Sequence, residues 1–316
     1  MSTLGKKVLF RVALLLAVSI TGITGCGRKQ EAASPENRIK VFVSIEPQAY
    51  FLQRIGGDLV DIHVLVGPGQ SPATYEPTPK QMAELARSDI YFEIGVPFEQ
   101  TLSGKIANLF PTLDVIKTQK NVPTRHLLRH SHEGFVKGSG VDPHIWLSPA
   151  LAKIQAKNIR NGLRRYDPAD APIFDENLTS FLHDLDSVRT QIQQILAPYK
   201  GDTMYVFHPA YGYFAQAFGL VQAPVEAEGK EPSARELQQV ITLMKSARNK
   251  VLFVQPQFSE KTARTIAAAI GGEVVVLDPL SRDYLNNLVV MANEIAEALP
   301  PRSIGTDTGM QRNSGE

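Results

Sequence analysis

Residues 170–198 read DAPIFDENLTSFLHDLDSVRTQIQQILAP, and this stretch decides the architecture. Leu178, Phe181, Leu182, Leu185, Val188, Ile192, Ile195 and Leu196 recur at steps of three and four, the spacing that lines one face of an α-helix. No glycine interrupts the run, and proline stands only near its ends, at Pro172 and Pro198. At 1.5 Å per residue such a helix is roughly 40 Å long. A rod of that length in the middle of the chain divides it into an amino-side and a carboxyl-side segment.

On both sides of the rod, β-rich runs alternate with amphipathic stretches, the pattern of an α/β fold with mainly parallel sheets. On the amino side, residues 39–45 (IKVFVSI), 60–66 (VDIHVLV), 90–94 (IYFEI) and 113–116 read as strands. On the carboxyl side, residues 203–207, 221–225, 251–254 and 273–277 do the same. Thr78-Pro79-Lys80-Gln81 opens a helix with a capping threonine, a proline at the first position and a glutamine at the third. Ser148-Pro149 repeats the opening, and Ser233-Ala234-Arg235-Glu236 is a capping box. The predicted layout is two α/β lobes, residues 39–169 and 200–299, linked by one long rigid helix, residues 170–199.

The ends carry a different kind of information. Lys6, Lys7 and Arg11 form a basic start, and residues 12–20 are an apolar run too short to span a bilayer as a helix. Ile23-Thr24-Gly25-Cys26 resembles a lipobox, so residues 1–26 read as a lipoprotein signal peptide with acylation expected at Cys26. An ordinary secretory signal with an incidental cysteine is the alternative. Cys26 is the only cysteine, which excludes an intrachain disulfide. Residues 27–38 are expected to be a flexible tether and residues 300–316 a disordered tail. Hydrophobic residues make up 43% of the 316, enough for a sizeable core. Lys and Arg total 33 against 32 Asp and Glu, and so balanced a charge excludes a polyanion footprint and with it nucleic acid.

Ligands of open α/β sheets bind beyond the carboxyl ends of strands. Polar residues predicted there are His144, just before a helix start and beside the only tryptophan, Trp146; His208, after strand 203–207; and Asp278, after strand 273–277. The loop 67–79, with Tyr75 and Glu76, comes after strand 60–66. Two imidazoles and a carboxylate suit a borderline divalent metal such as zinc. Each residue alone also has a plainer reading, a surface histidine or a helix-capping aspartate. His63 and His183 read as strand and helix-surface residues. Tyr211, Tyr213 and Phe214 read as core.

Six motifs in order then carry a resemblance. They are Ser71-Pro72-Ala73-Thr74-Tyr75-Glu76-Pro77-Thr78-Pro79, Tyr91-Phe92-Glu93-Ile94-Gly95-Val96-Pro97-Phe98-Glu99, Asp142-Pro143-His144-Ile145-Trp146-Leu147-Ser148-Pro149, Phe207-His208-Pro209-Ala210-Tyr211-Gly212-Tyr213-Phe214, Gly229-Lys230-Glu231-Pro232-Ser233 and Leu277-Asp278-Pro279-Leu280. Over residues 39–299 the chain resembles the zinc/manganese solute-binding proteins of ABC importers. The resemblance implies a binding protein and not an enzyme. It is expected to be a monomer that takes Zn2+, with Mn2+ as the second choice, between its lobes and passes it to a membrane permease. It would be extracytoplasmic and held at the membrane by its lipid.

The resemblance also implies four protein ligands, three of which fall on His144, His208 and Asp278. Where the family carries its first histidine this chain has Ala73. A water or a substitute such as Glu76 ranks first as the replacement, ahead of a histidine from the polar loop 117–141 (His126, His130 or His132) and of a weak or altered site. The loop reads either as a short metal-gathering segment or as a disordered, solvated one, and Glu231 as a residue ordering a helix start. Competing functions are a zinc hydrolase using an open coordination position, a haem, cobalamin or chelate receptor, and an adhesin.

Overall fold

The structure, a computed structural model, describes residues 37–131, 134–226, 234–258 and 260–300. The predicted signal peptide, Cys26, most of the tether and tail, His132, Glu231 and Ser233 lie outside the described residues. The first lobe contains β1 (Ile39–Val43), α1 (Glu46–Gly56), β2 (Val60–Val64), α2 (Pro79–Leu85), β3 (Ile90–Glu93), α3 (Pro97–Leu109) and β4 (Asp114–Lys117). Then come β5 (His126–Ser131), β6 (Gly134–Val141), α4 (Pro149–Tyr166) and the long helix α5 (Ala171–Leu196). The second lobe contains β7 (Thr203–Val206), α6 (Gly212–Phe218), β8 (Val221–Pro224), α7 (Ala234–Ser246), β9 (Val251–Val254), α8 (Glu260–Ile270), β10 (Glu273–Val276) and α9 (Tyr284–Ala298).

Two four-stranded parallel sheets result, ordered β2-β1-β3-β4 and β10-β9-β7-β8. The central strands β1, β3, β7 and β9 are largely buried on both faces, whereas the edge strands β2, β4 and β10 are only partly so. In β7, Met204 and Val206 join the main core, which runs from the first sheet through α5 into the second lobe. Tyr205 and Phe207 point the other way, into a smaller core on the far side of the second sheet. The cap expected at residue 78 forms, with Thr78 Oγ1 accepting from the Gln81 backbone N–H at 3.3 Å.

Helix α5 has 26 residues and buries Phe174, Leu178, Phe181, Leu185, Ile192 and Leu196 along one stripe. Its polar face is fastened by the ion pairs Arg54–Asp184 (2.6 Å), Lys153–Asp186 (2.6 Å) and Arg160–Asp175 (2.8 Å). The two lobes are tied directly as well. Trp146 Nε1 donates to the Pro279 carbonyl (2.7 Å), Tyr284 Oη donates to the Trp146 carbonyl (2.6 Å), and Arg282 pairs with Glu46 (3.0 Å).

The polar loop 117–141 is corrected by the structure. It is neither unstructured nor a simple loop: β5 and β6 pair antiparallel, from His126 opposite Val141 to Ser131 opposite Gly134. The runs HLLRHS and GFVKGSGV lack the apolar alternation that marks a strand in sequence. Cross-strand hydrogen bonds, invisible to local patterning, decide their conformation.

Candidate metal centre

The strand order of an open sheet reverses at one point, and ligands bind beyond it. The first sheet reverses between β1 and β3, the second between β7 and β9. Between the facing strand ends lies a cavity of about 400 Å³. Ala73 and Val96 wall it from the first lobe, Leu127 from the β5–β6 hairpin, and His144, His208 and Phe258 complete it.

His144 occupies the turn before a short 3-10 segment, Ile145–Leu147, that leads into α4. It donates both its backbone N–H (3.0 Å) and its ring Nδ1–H (2.8 Å) to Asp142 Oδ1. His208 donates Nδ1–H to Glu226 Oε2 at 2.8 Å. That second pairing arises from register. Val206 at the end of β7 faces Pro224 at the end of β8, so the residues two further on, His208 and Glu226, lie side by side. Both carboxylates are deeply buried, Asp142 at 1% and Glu226 at 2% exposure. An ionised carboxylate only accepts, so each ring carries its hydrogen on Nδ1 and leaves Nε2 as an unprotonated donor to a metal.

The two imidazoles meet with centroids 5.3 Å apart and planes at 76°. His208 also stacks on Phe258 (5.1 Å, 25°), and His144 leans on Trp146 (5.3 Å). Burial holds the His144 pKa below its ordinary value, against the pull of Asp142. The ring therefore stays neutral, the form that binds a metal. Gln255, itself buried, donates from Nε2 to the His208 carbonyl at 2.9 Å and holds the turn after β7.

Asp278 is not among the residues that wall the cavity. It comes just after β10, and β9 lies between β10 and β7. Asp278 Oδ1 accepts from the Leu280 backbone N–H (2.9 Å) and from Gln257 Nε2 (3.3 Å). Among the described residues no group of three or more His, Cys, Asp and Glu side chains converges as a metal shell. Ala73 stands in the cavity wall, whereas Glu76 is exposed and outside it. His126 is exposed at the start of β5, and His183 is exposed on α5. His63 is half-buried and stacks on Phe42. Tyr211, Tyr213 and Phe214 are buried, as their apolar spacing implied.

Sequence reasoning passed over Asp142 and Glu226 as functional residues. Glu226 was within reach of the strand-end rule, since it stands one residue past the predicted strand 221–225. Asp142 is two residues before His144, the spacing of an Asx turn.

Fold and cleft together define a two-lobed solute-binding protein with one long interlobe helix and paired imidazoles facing the cleft. Within that class, the chain belongs to the family described as zinc-uptake complex component A periplasmic, which matches residues 41–298. The high-affinity zinc uptake system protein ZnuA of Bacillus subtilis (strain 168) is 26% identical over 282 residues, covering 84% of this chain and 87% of that protein. The manganese ABC transporter substrate-binding lipoprotein PsaA of Streptococcus pneumoniae is 24% identical over 275 residues, covering 83% and 86%. A crystal structure of a ZnuA 138-173 deletion mutant with zinc bound superposes with a TM-score of 0.77 at 39% identity, covering 84% of this chain and 100% of that one. Neither the family nor these relatives lend support to a hydrolase or to a receptor for haem, cobalamin or a chelate. No helix among the described residues is long and apolar enough to cross a membrane.

Proposed function

We propose that this protein captures a divalent transition metal, zinc in preference to manganese, in the cleft between its lobes. It then delivers the ion to the membrane permease of an ABC importer. His144 and His208 bind through Nε2, Asp278 supplies a third donor, and a water or a substitute ligand completes the shell on the Ala73 side. The protein acts as a monomeric receptor and performs no reaction on its cargo. Its lobes are residues 39–169 and 200–299, with residues 170–199 as the linking helix. Residues 1–26 serve as a lipoprotein signal, and acylated Cys26 holds the mature chain at the outer face of a membrane through the tether 27–38.

One observation carries the reading: two buried carboxylates each take the Nδ1–H of a histidine, and the two rings meet across one cavity. Carboxylates behind histidines are the usual support of metal-ligating imidazoles, because they fix both tautomer and ring orientation. Two imidazoles sharing one tetrahedral ion, each nitrogen about 2.0–2.1 Å from it, place their centroids roughly 5 Å apart. The separation of 5.3 Å matches that arrangement. Imidazole in preference to an all-oxygen shell favours zinc over manganese.

The test is metal content by plasma mass spectrometry on untagged residues 27–316, purified without chelator and titrated with zinc and manganese. The expected result is one zinc per chain, with His208→Ala losing affinity by orders of magnitude while the apo form still folds, melting lower because Glu226 is left buried without its partner. Absence of zinc uptake at micromolar concentration would overturn the reading.

A further inference from the structure

Asp142 has two carboxylate oxygens, and His144 uses only one. Oδ1 takes both His144 bonds, whereas Oδ2 is buried without a hydrogen-bond partner among the described residues. A carboxylate withdrawn from water this far is stabilised by a facing positive charge. Arg125 supplies it, with Nε 3.7 Å from Asp142 Oδ2.

Arg125 is itself held in place. Its guanidinium lies over the Tyr213 ring, 5.7 Å from the centroid, and its backbone N–H donates to Tyr213 Oη at 3.0 Å. Its carbonyl accepts from the Asp142 N–H at 2.8 Å, and Tyr213 Oη donates to the Asp142 carbonyl at 3.1 Å. Gly212 leaves room for the cluster: a Cβ there would stand 2.3 Å from Arg125 Nη1 and 2.8 Å from Asp142 Oδ2.

We propose that Arg125 is a positioning residue for the metal site, an inference that rests on the receptor function above. Its guanidinium clamps the Asp142 carboxylate, and the clamped carboxylate keeps the His144 hydrogen on Nδ1 and Nε2 turned to the ion. Arg125 immediately precedes β5, so the same contact fastens the base of the hairpin that lines the cavity to the ligand. Hairpin posture and ligand orientation are thereby coupled.

The test compares Arg125→Met, which keeps the stem without the charge, with Arg125→Lys, which keeps the charge. Zinc affinity of the mature chain is measured by competition with a chromophoric chelator. Arg125→Met should bind 10–100-fold more weakly, the usual consequence of losing an outer-shell partner, and Arg125→Lys should recover most of the loss. Gly212→Ala, which displaces the guanidinium without removing it, should weaken binding in the same direction. A second readout needs no metal: ¹⁵N–¹H correlation of apo His144 should show the Nδ1–H tautomer in the parent and a mixture in Arg125→Met.

Parent-like affinity with an unchanged tautomer in Arg125→Met would overturn the proposal. So would an Arg125→Lys chain as weak as Arg125→Met. Should the parent itself take up no zinc, the receptor reading fails, while the tautomer comparison still decides what Arg125 does to His144.

Discussion

At the scale of single residues, Glu99 is the carboxyl placed most uncomfortably. It is 3% exposed in the first turn of α3. Burial raises its pKa from 4.5 to about 7, opposed by donation from Ser44 Oγ and from the Ile94 and Gly95 N–H groups. Between those two values the folded chain keeps a proton that the unfolded chain has released. Stability contributed by this group is therefore complete below pH 4.5 and is lost as pH rises to about 7. The difference is on the order of 3 kcal/mol. His144 pulls the other way below its ordinary pKa, because burial keeps it neutral while the unfolded ring charges. The check is a comparison of two chains that share His144. Urea unfolding of the parent and of Glu99→Gln at pH 5 and pH 7.5 should show the parent losing the more stability with rising pH. Equal losses in both chains would assign the slope to another group.

At the scale of elements, close packing of helix on sheet sets the limits. Gly162, in α4, has its would-be Cβ 2.3 Å from Ile116 Cδ1 and 2.9 Å from Phe92 Cε1. A helical glycine ordinarily gives up about 1 kcal/mol relative to alanine. Here the absent methyl lets α4 lie directly on β3 and β4, and contact outweighs propensity. Gly162→Val should destabilise the protein by about 1–3 kcal/mol, the usual range for overpacking. An unshifted urea midpoint would mean that α4 can move outward at no loss. The same scale separates α5 from the β5–β6 hairpin. Helix α5 advertises itself through its own stripe of apolar residues, whereas the hairpin exists only through pairing of one strand with the other.

At the scale of the whole molecule, the cavity is assembled from wall residues between Ser71 and Leu280, and it holds its shape because the lobes are locked to each other. Trp146, Tyr284 and Arg282 bond across, and α5 braces both. The proposed anchor belongs to this scale as well, since it decides where the cleft operates. The full-length chain expressed in a bacterium should sediment with membranes and carry acyl mass on a peptide beginning at Cys26. Cys26→Ser should release it into the soluble fraction, and an unacylated parent would overturn the anchor.

By itself, the sequence determined those features that depend on near neighbours along the chain. The eight strands of the two sheets, the cap at Thr78 and the rod of α5 arise from periodicity and local hydrogen bonding. His208 was visible because it follows a strand legible in the sequence, and His144 because it precedes a legible helix start. The features that only the tertiary structure decided depend on partners far apart in sequence. Glu226 reaches His208 through the register of β7 with β8, and Arg125 reaches Asp142 through the pairing of β5 with β6, with Tyr213 of α6 packed against both. The placement of β9 between β10 and β7 is likewise an order that no local pattern encodes. Strand order and register are set by burial and pairing over the whole sheet, so the second layer of a site becomes readable only once the chain has folded.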